Sequence, residues 1–177
     1  MPLDYENLDK KTRAFMLQEL DLDVSRGTLY ISPRLNEQGA ENYPSLLREA
    51  LGNHDDARLA DQLRGRGYLK AFEQRRKRGG GFTTAKVPVT APETLAEGEF
   101  NRFYARGLCA RAIEEGIAEV EVYRAKGVKQ PRAESVAKIG EMIAAKALLE
   151  DLRVSVGVEP ALGLPPGPNS GLSIRLP

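Results

Sequence analysis

One long helix constrains this chain more than any other feature, and its start is written in Thr90-Ala91-Pro92-Glu93. Thr90 and Glu93 have the spacing of a capping box, and Pro92 fits a first helical turn because its missing N–H is not needed there. Over residues 92–115, Leu95, Ala96, Phe100, Phe103, Tyr104, Leu108, Ala112 and Ile113 recur every three or four positions. Such a stripe must face a core. Gly98 and Gly107 each cost about 1 kcal/mol relative to Ala inside a helix, which predicts close packing against another backbone.

The remaining elements are shorter. A first helix is expected from a cap at Asn7 to a stop at Gly27, with Leu8, Phe15, Met16, Leu20 and Val24 as its apolar members, followed by a short strand at Thr28–Ile31. A second helix is expected over 41–51, with Pro44 in its first turn, and a third after Asn53 through Leu59 and Leu63. Residues 68–78 can continue as helix. Ile117–Tyr123 alternates as a half-exposed strand, and a helical pattern covers 132–153 with a break near Gly140. The fold class is therefore mainly α with a small β component (α+β), a compact helical body with an extended Pro/Gly-rich C-terminal arm. The boundaries follow: a helical region over 1–78, an extended connector over 79–92, the central helix, strand and later helices of the same domain over 93–153, and the arm over 154–177.

A length of 177 residues with 41% hydrophobic and 29% charged residues fits one globular domain. Five Phe, six Tyr and no Trp leave most of the core to aliphatic side chains. The lone Cys109 excludes an internal disulfide framework and points to a reducing compartment. Met1–Glu6 lacks the basic flank and apolar run of a signal peptide, and no stretch has the apolar length of a membrane span. A soluble protein with no membrane partner is expected, in the cytoplasm or within an assembled particle.

The net charge of +1 conceals an uneven distribution. Residues 1–62 carry −5, residues 87–177 carry −1, and residues 63–86 carry +7 through eight basic side chains against Glu73 alone. Arg75, Arg76, Lys77 and Arg78 run into Gly79-Gly80-Gly81, with Phe72 and Phe82 on either side. Cations beside a pliable loop can follow a phosphate backbone without reading sequence, and the aromatic rings can stack on exposed bases. The same run also serves as a solvated loop or as a bridge to an acidic neighbour.

Motifs for catalysis are sparse. His54 lies between two helices, where a turn role suffices, and Cys109 sits mid-stripe as a small core residue. Glu119 and Glu121 share a strand face as nuclease carboxylates do, but Tyr123 stands where a lysine is wanted and Lys126 lies beyond the strand. The glycine run lacks the spacing and the lysine of a phosphate loop. No catalytic residue, metal or cofactor is assigned. On the long helix, Glu97, Glu99, Asn101, Arg102, Arg106 and Arg111 fall outside the stripe and are expected on a solvated or contact face.

Two extended segments take up roughly a fifth of the chain, and arms of that kind belong to proteins that bury them on neighbouring subunits. The expected function is a non-enzymatic structural component of a multi-subunit assembly, viral and phage particles being one such class by architecture. Leu164, Leu172, Ile174 and Leu176 of the arm, with Arg102 and Arg106, are its expected partner contacts. Arg75–Arg78 are expected to face nucleic acid, bound without sequence preference, or an acidic neighbour. A nucleic-acid-binding accessory protein is the alternative, and a metal-dependent nuclease using Glu119 and Glu121 a third.

Overall fold

A computed structural model describes residues 2–156 and 170–177. Helices α1 (Lys10–Arg26), α2 (Glu37–Asn53) and α3 (Asp56–Gly65) come first, then strands β1 (Phe72–Arg76) and β2 (Phe82–Lys86). Helix α4 (Ala91–Glu114) follows, with β3 (Glu119–Arg124), α5 (Ala133–Ala137), β4 (Met142–Ala144), α6 (Ala145–Val154) and β5 (Leu172–Arg175) completing an α+β fold.

Helix α4 is the axis of the molecule, packed by α1, α3 and α6 and touched by α2, β3 and β5. Being wrapped on several sides, it buries Glu99, Asn101, Arg102 and Arg106 along with Ala96, Phe100, Phe103, Tyr104, Leu108 and Ala112 of its apolar stripe, whereas Leu95 is half-buried and Ile113, expected on the core face, is exposed. The solvated or contact face expected for Glu99, Asn101, Arg102 and Arg106 is corrected accordingly. At its N-terminus Thr90 makes no side-chain cap, so the expected capping box does not form; Glu93 pairs instead with Arg64 of α3. Gly107 meets its expectation: a Cβ there would lie 2.6 Å from Met16 Cγ and 2.7 Å from the Met16 backbone nitrogen. Only glycine lets α1 approach α4 this closely.

Other helix starts shift with their caps. Asp9 accepts from the Thr12 N–H and opens α1, and Asn36 accepts from Gly39 and opens α2 a turn earlier than expected, which leaves Pro44 inside the helix. Asp55, not Asn53, caps α3 through the Arg58 N–H. Thr28–Ile31, expected as a short strand, joins no ladder among the described residues.

The larger sheet has the order β4-β3-β5, antiparallel throughout. Val120 and Val122 are fully buried, Val122 opposite Ile174 and Val120 opposite Ile143. At the C-terminal end Leu172, Ile174 and Leu176 alternate with Ser173 and Arg175, and residues 172–175 of the expected arm form a strand of this chain's own sheet. Asn101 of α4 fixes it: its Nδ2 donates to the Leu172 carbonyl at 2.9 Å, and its Oδ1 accepts from Ser173 Oγ at 2.6 Å. The N-terminal segment seals the same region. Asp4 N–H donates to the Ala125 carbonyl, and Tyr5 packs its ring 4.7 Å from Tyr104 and 5.1 Å from Phe100.

The helix and the extended connector expected across 68–92 are replaced by a hairpin, β1 paired antiparallel with β2. Gly80 and Gly81 have φ of 91° and 75°, a region closed to most residues, and they turn the chain in place. Lys77 N–H closes the turn on the Gly81 carbonyl at 3.0 Å.

Candidate functional site

The basic cluster belongs to this hairpin, whose two strands pair with each other and which is tied to the body through Glu73. Glu73 accepts from Arg34 Nε at 2.6 Å and Nη2 at 3.2 Å, and from Arg75 Nε at 2.7 Å. Those hydrogen bonds hold its carboxyl below the usual carboxylate range.

Residues opposed across antiparallel strands share a face. The register places Phe72 opposite Lys86, Gln74 opposite Thr84 and Arg76 opposite Phe82, all on one face, with Glu73, Arg75, Thr83 and Ala85 on the other. A 3.0 Å hydrogen bond from Gln74 Nε2 to Thr84 Oγ1 joins the middle pair. Glu73 marks the second face as the one turned to Arg34. The first face stands in solvent, with Phe72 55% and Phe82 69% exposed. Arg75, Arg76, Lys77 and Arg78 are all exposed. Arg75 is engaged by Glu73, whereas Arg76, Lys77 and Arg78 have no ion-pair partner among the described residues.

The expected partner contacts are arranged differently. Arg106 is fully buried and belongs to an internal network: its Nε donates to Glu19 Oε2 at 3.0 Å, and Nη1 and Nη2 grip Asp23 at 2.6 and 2.9 Å. Arg153 of α6 also donates to Glu19 at 2.9 Å. Burial alone would raise the Glu19 pKa, but hydrogen bonds from Arg153 and Arg106 outweigh it and hold the group below its ordinary value. Arg102 is buried and donates to the Ser155 carbonyl at 2.7 Å. Leu172 and Ile174 lie in the core. These four side chains are enclosed by the chain's own packing, which corrects their assignment to a partner surface. Leu176 is half-buried against that core, its N–H donating to Asn7 Oδ1, and Leu164 falls outside the described residues.

Arg102 also lines a cavity of about 560 Å³ with Tyr30, Arg34, Glu97, Glu99 and Asn101. Its acids are engaged within the fold: Glu97 pairs with Lys126, and Glu99 lies 3.6 Å from Arg102 Nε. Burial pushes the Glu99 carboxyl up to about 7, and its Oε2 has no hydrogen-bond partner among the described residues.

The catalytic alternatives find little assembled chemistry. Glu121 is held by Arg175 through two hydrogen bonds, at 2.9 and 3.1 Å, while Glu119 stays exposed on the same strand. Among the described residues, no three His, Cys, Asp or Glu side chains are grouped to hold a metal. His54 lies 3.5 Å from Glu49 at the surface, and burial drives the Cys109 thiol well above its usual range. No helix of the described residues is long and apolar enough to cross a membrane.

The buried polar network is what a reading of the sequence missed. Its signal is present in α1, where Glu19 and Asp23 fall on the same stripe as Met16 and Leu20 and so point two acids at the core. Compared with known proteins, the chain matches no family model, no curated protein and no solved structure.

Proposed function

We propose that this chain is a non-enzymatic structural component of a larger assembly and that its hairpin arm contacts nucleic acid through phosphates. The observation that carries this reading is the set of free cations on a projecting ribbon, Arg76, Lys77 and Arg78, next to two exposed phenylalanines. A two-stranded ribbon is marginal by itself in water. Held to the body by the Arg34–Glu73 pair and offering bare aromatic rings, it is suited to being covered by something else. Charge supports a polyanion in that role: the hairpin has three unpaired cations near its tip and no unpaired acid among the described residues.

The test uses the full chain. Light scattering gives the native mass, and fluorescence anisotropy against labelled DNA gives affinity across a salt series. Retention should weaken with salt at a log–log slope of about 0.7–0.9 per phosphate neutralised. Changing Arg76, Lys77 and Arg78 together to Ala should lower that slope by about 2–3. A monomer at all concentrations would remove the assembly half of the proposal, and equal binding by the triple variant would remove the nucleic-acid half.

A further inference from the structure

Resting on that reading, we infer that the outer face of the hairpin takes a single strand of nucleic acid, not a duplex, with Phe72 and Phe82 as two stacking platforms. The face is built in three rungs: Phe72 with Lys86, Gln74 with Thr84, and Arg76 with Phe82. Each phenylalanine therefore has a cation directly across from it. The aromatic rungs lie at opposite ends, about 14 Å apart along the strands at about 3.4 Å per residue. Two separate bases can each find a ring, and the polar Gln74–Thr84 rung lies between them.

In a duplex both faces of an interior base are already stacked, so a flat aromatic ring at the surface has nothing to gain there. Unpaired bases offer their faces, and stacking on an aromatic ring is tolerant of base identity. Phe72 and Phe82 at 55% and 69% exposure are available without any rearrangement of the core. Lys86 and Arg76 lie where the sugar-phosphate chain passes beside each stacked base, and Lys77 and Arg78 extend the cationic track around the turn. Neither stacking nor phosphate pairing reads a 2′-hydroxyl, so the inference covers DNA and RNA strands as one chemistry.

The chain contains no Trp, so Phe82→Trp installs a single indole reporter at one platform. Its emission should be quenched by oligothymidine and by oligouridine and left nearly unchanged by a duplex of equal length. Whichever oligomer titrates at lower concentration assigns the natural strand. In anisotropy, Phe72→Ala and Phe82→Ala should each weaken single-strand binding about tenfold and leave the salt slope near that of the parent chain. Both positions are exposed, and circular dichroism checks that the body remains folded. Duplex binding as tight as single-strand binding, or alanine variants that bind like the parent, overturns the single-strand inference while leaving the phosphate contact standing. Absence of binding to either polymer overturns both, as does a Phe82→Trp emission that responds only to a protein partner.

Discussion

Replacing Arg106 with Met removes a guanidinium that makes hydrogen bonds to two carboxylates from a position with no exposed surface. Glu19 keeps Arg153, but Asp23 loses both of its short bonds and remains 5% exposed. Stranding one partner of a buried ion pair costs about 3–5 kcal/mol. With a urea m-value of about 2 kcal/mol per molar for a domain of this size, the unfolding midpoint should fall by about 1.5–2.5 M, followed by far-UV circular dichroism. Adding Asp23→Leu removes the stranded charge and should recover most of the loss, because the two substitutions act on one contact. The effect also has a pH signature. The Glu19 pKa is depressed in the folded chain, so its stabilisation is complete above the unfolded value near 4.5 and is lost as pH falls from there through the folded value. The gap between parent and Arg106→Met should therefore narrow below pH 4.5. A loss under about 1 kcal/mol at pH 7, or a gap that does not change on acidification, would refute the network as described.

Other substitutions test other joints. Gly107→Ala forces a Cβ into the Met16 backbone and should cost about 1–3 kcal/mol, lowering the melting temperature by several degrees in differential scanning calorimetry; an unchanged melt contradicts the close approach of α1 to α4. Glu99→Gln should be nearly neutral at pH 5, where the buried carboxyl is protonated. At pH 8 it should stabilise by about 2–3 kcal/mol, because a group whose folded pKa is raised to about 7 loses stability as pH climbs above its unfolded value, and urea midpoints at the two pH values decide it. Asn101→Ala leaves the Ser173 hydroxyl and the Leu172 carbonyl without their partner and should cost about 1–3 kcal/mol. Hydrogen exchange in β3 and β5 should rise with it, and unchanged protection there would place the anchor of β5 elsewhere.

Elements with a buried stripe were legible from the sequence. Helix α4 shows itself through Pro92 and its three- and four-residue spacing, and β3 and β5 through alternation, Leu172 and Ile174 against Ser173 and Arg175. The hairpin was not, because both its faces meet solvent and its strands carry no inward set of apolar residues. Only the glycine turn and Thr83-Thr84 hinted at it. Strand β4 spans three residues, too few for a period to register. The cationic cluster was visible as composition, but which phenylalanine faces which cation depends on strand register. Charges on α4 were read as solvated because their partners are remote: Glu19 and Asp23 lie 87 and 83 positions from Arg106, and no local spacing joins them.

The central place of β3 has a consequence during synthesis. One of its edges is closed by β4, close behind it in the chain, but the other waits for residues 172–175. At about 5–20 residues per second, a nascent chain carries Val122 beside an unfilled edge for several seconds after β3 is made. A bare edge of that kind is a template for foreign strands. Ribosomes stalled before codon 172 should therefore release chains that aggregate or fall to proteases, so that only polypeptides read through β5 survive cellular quality control.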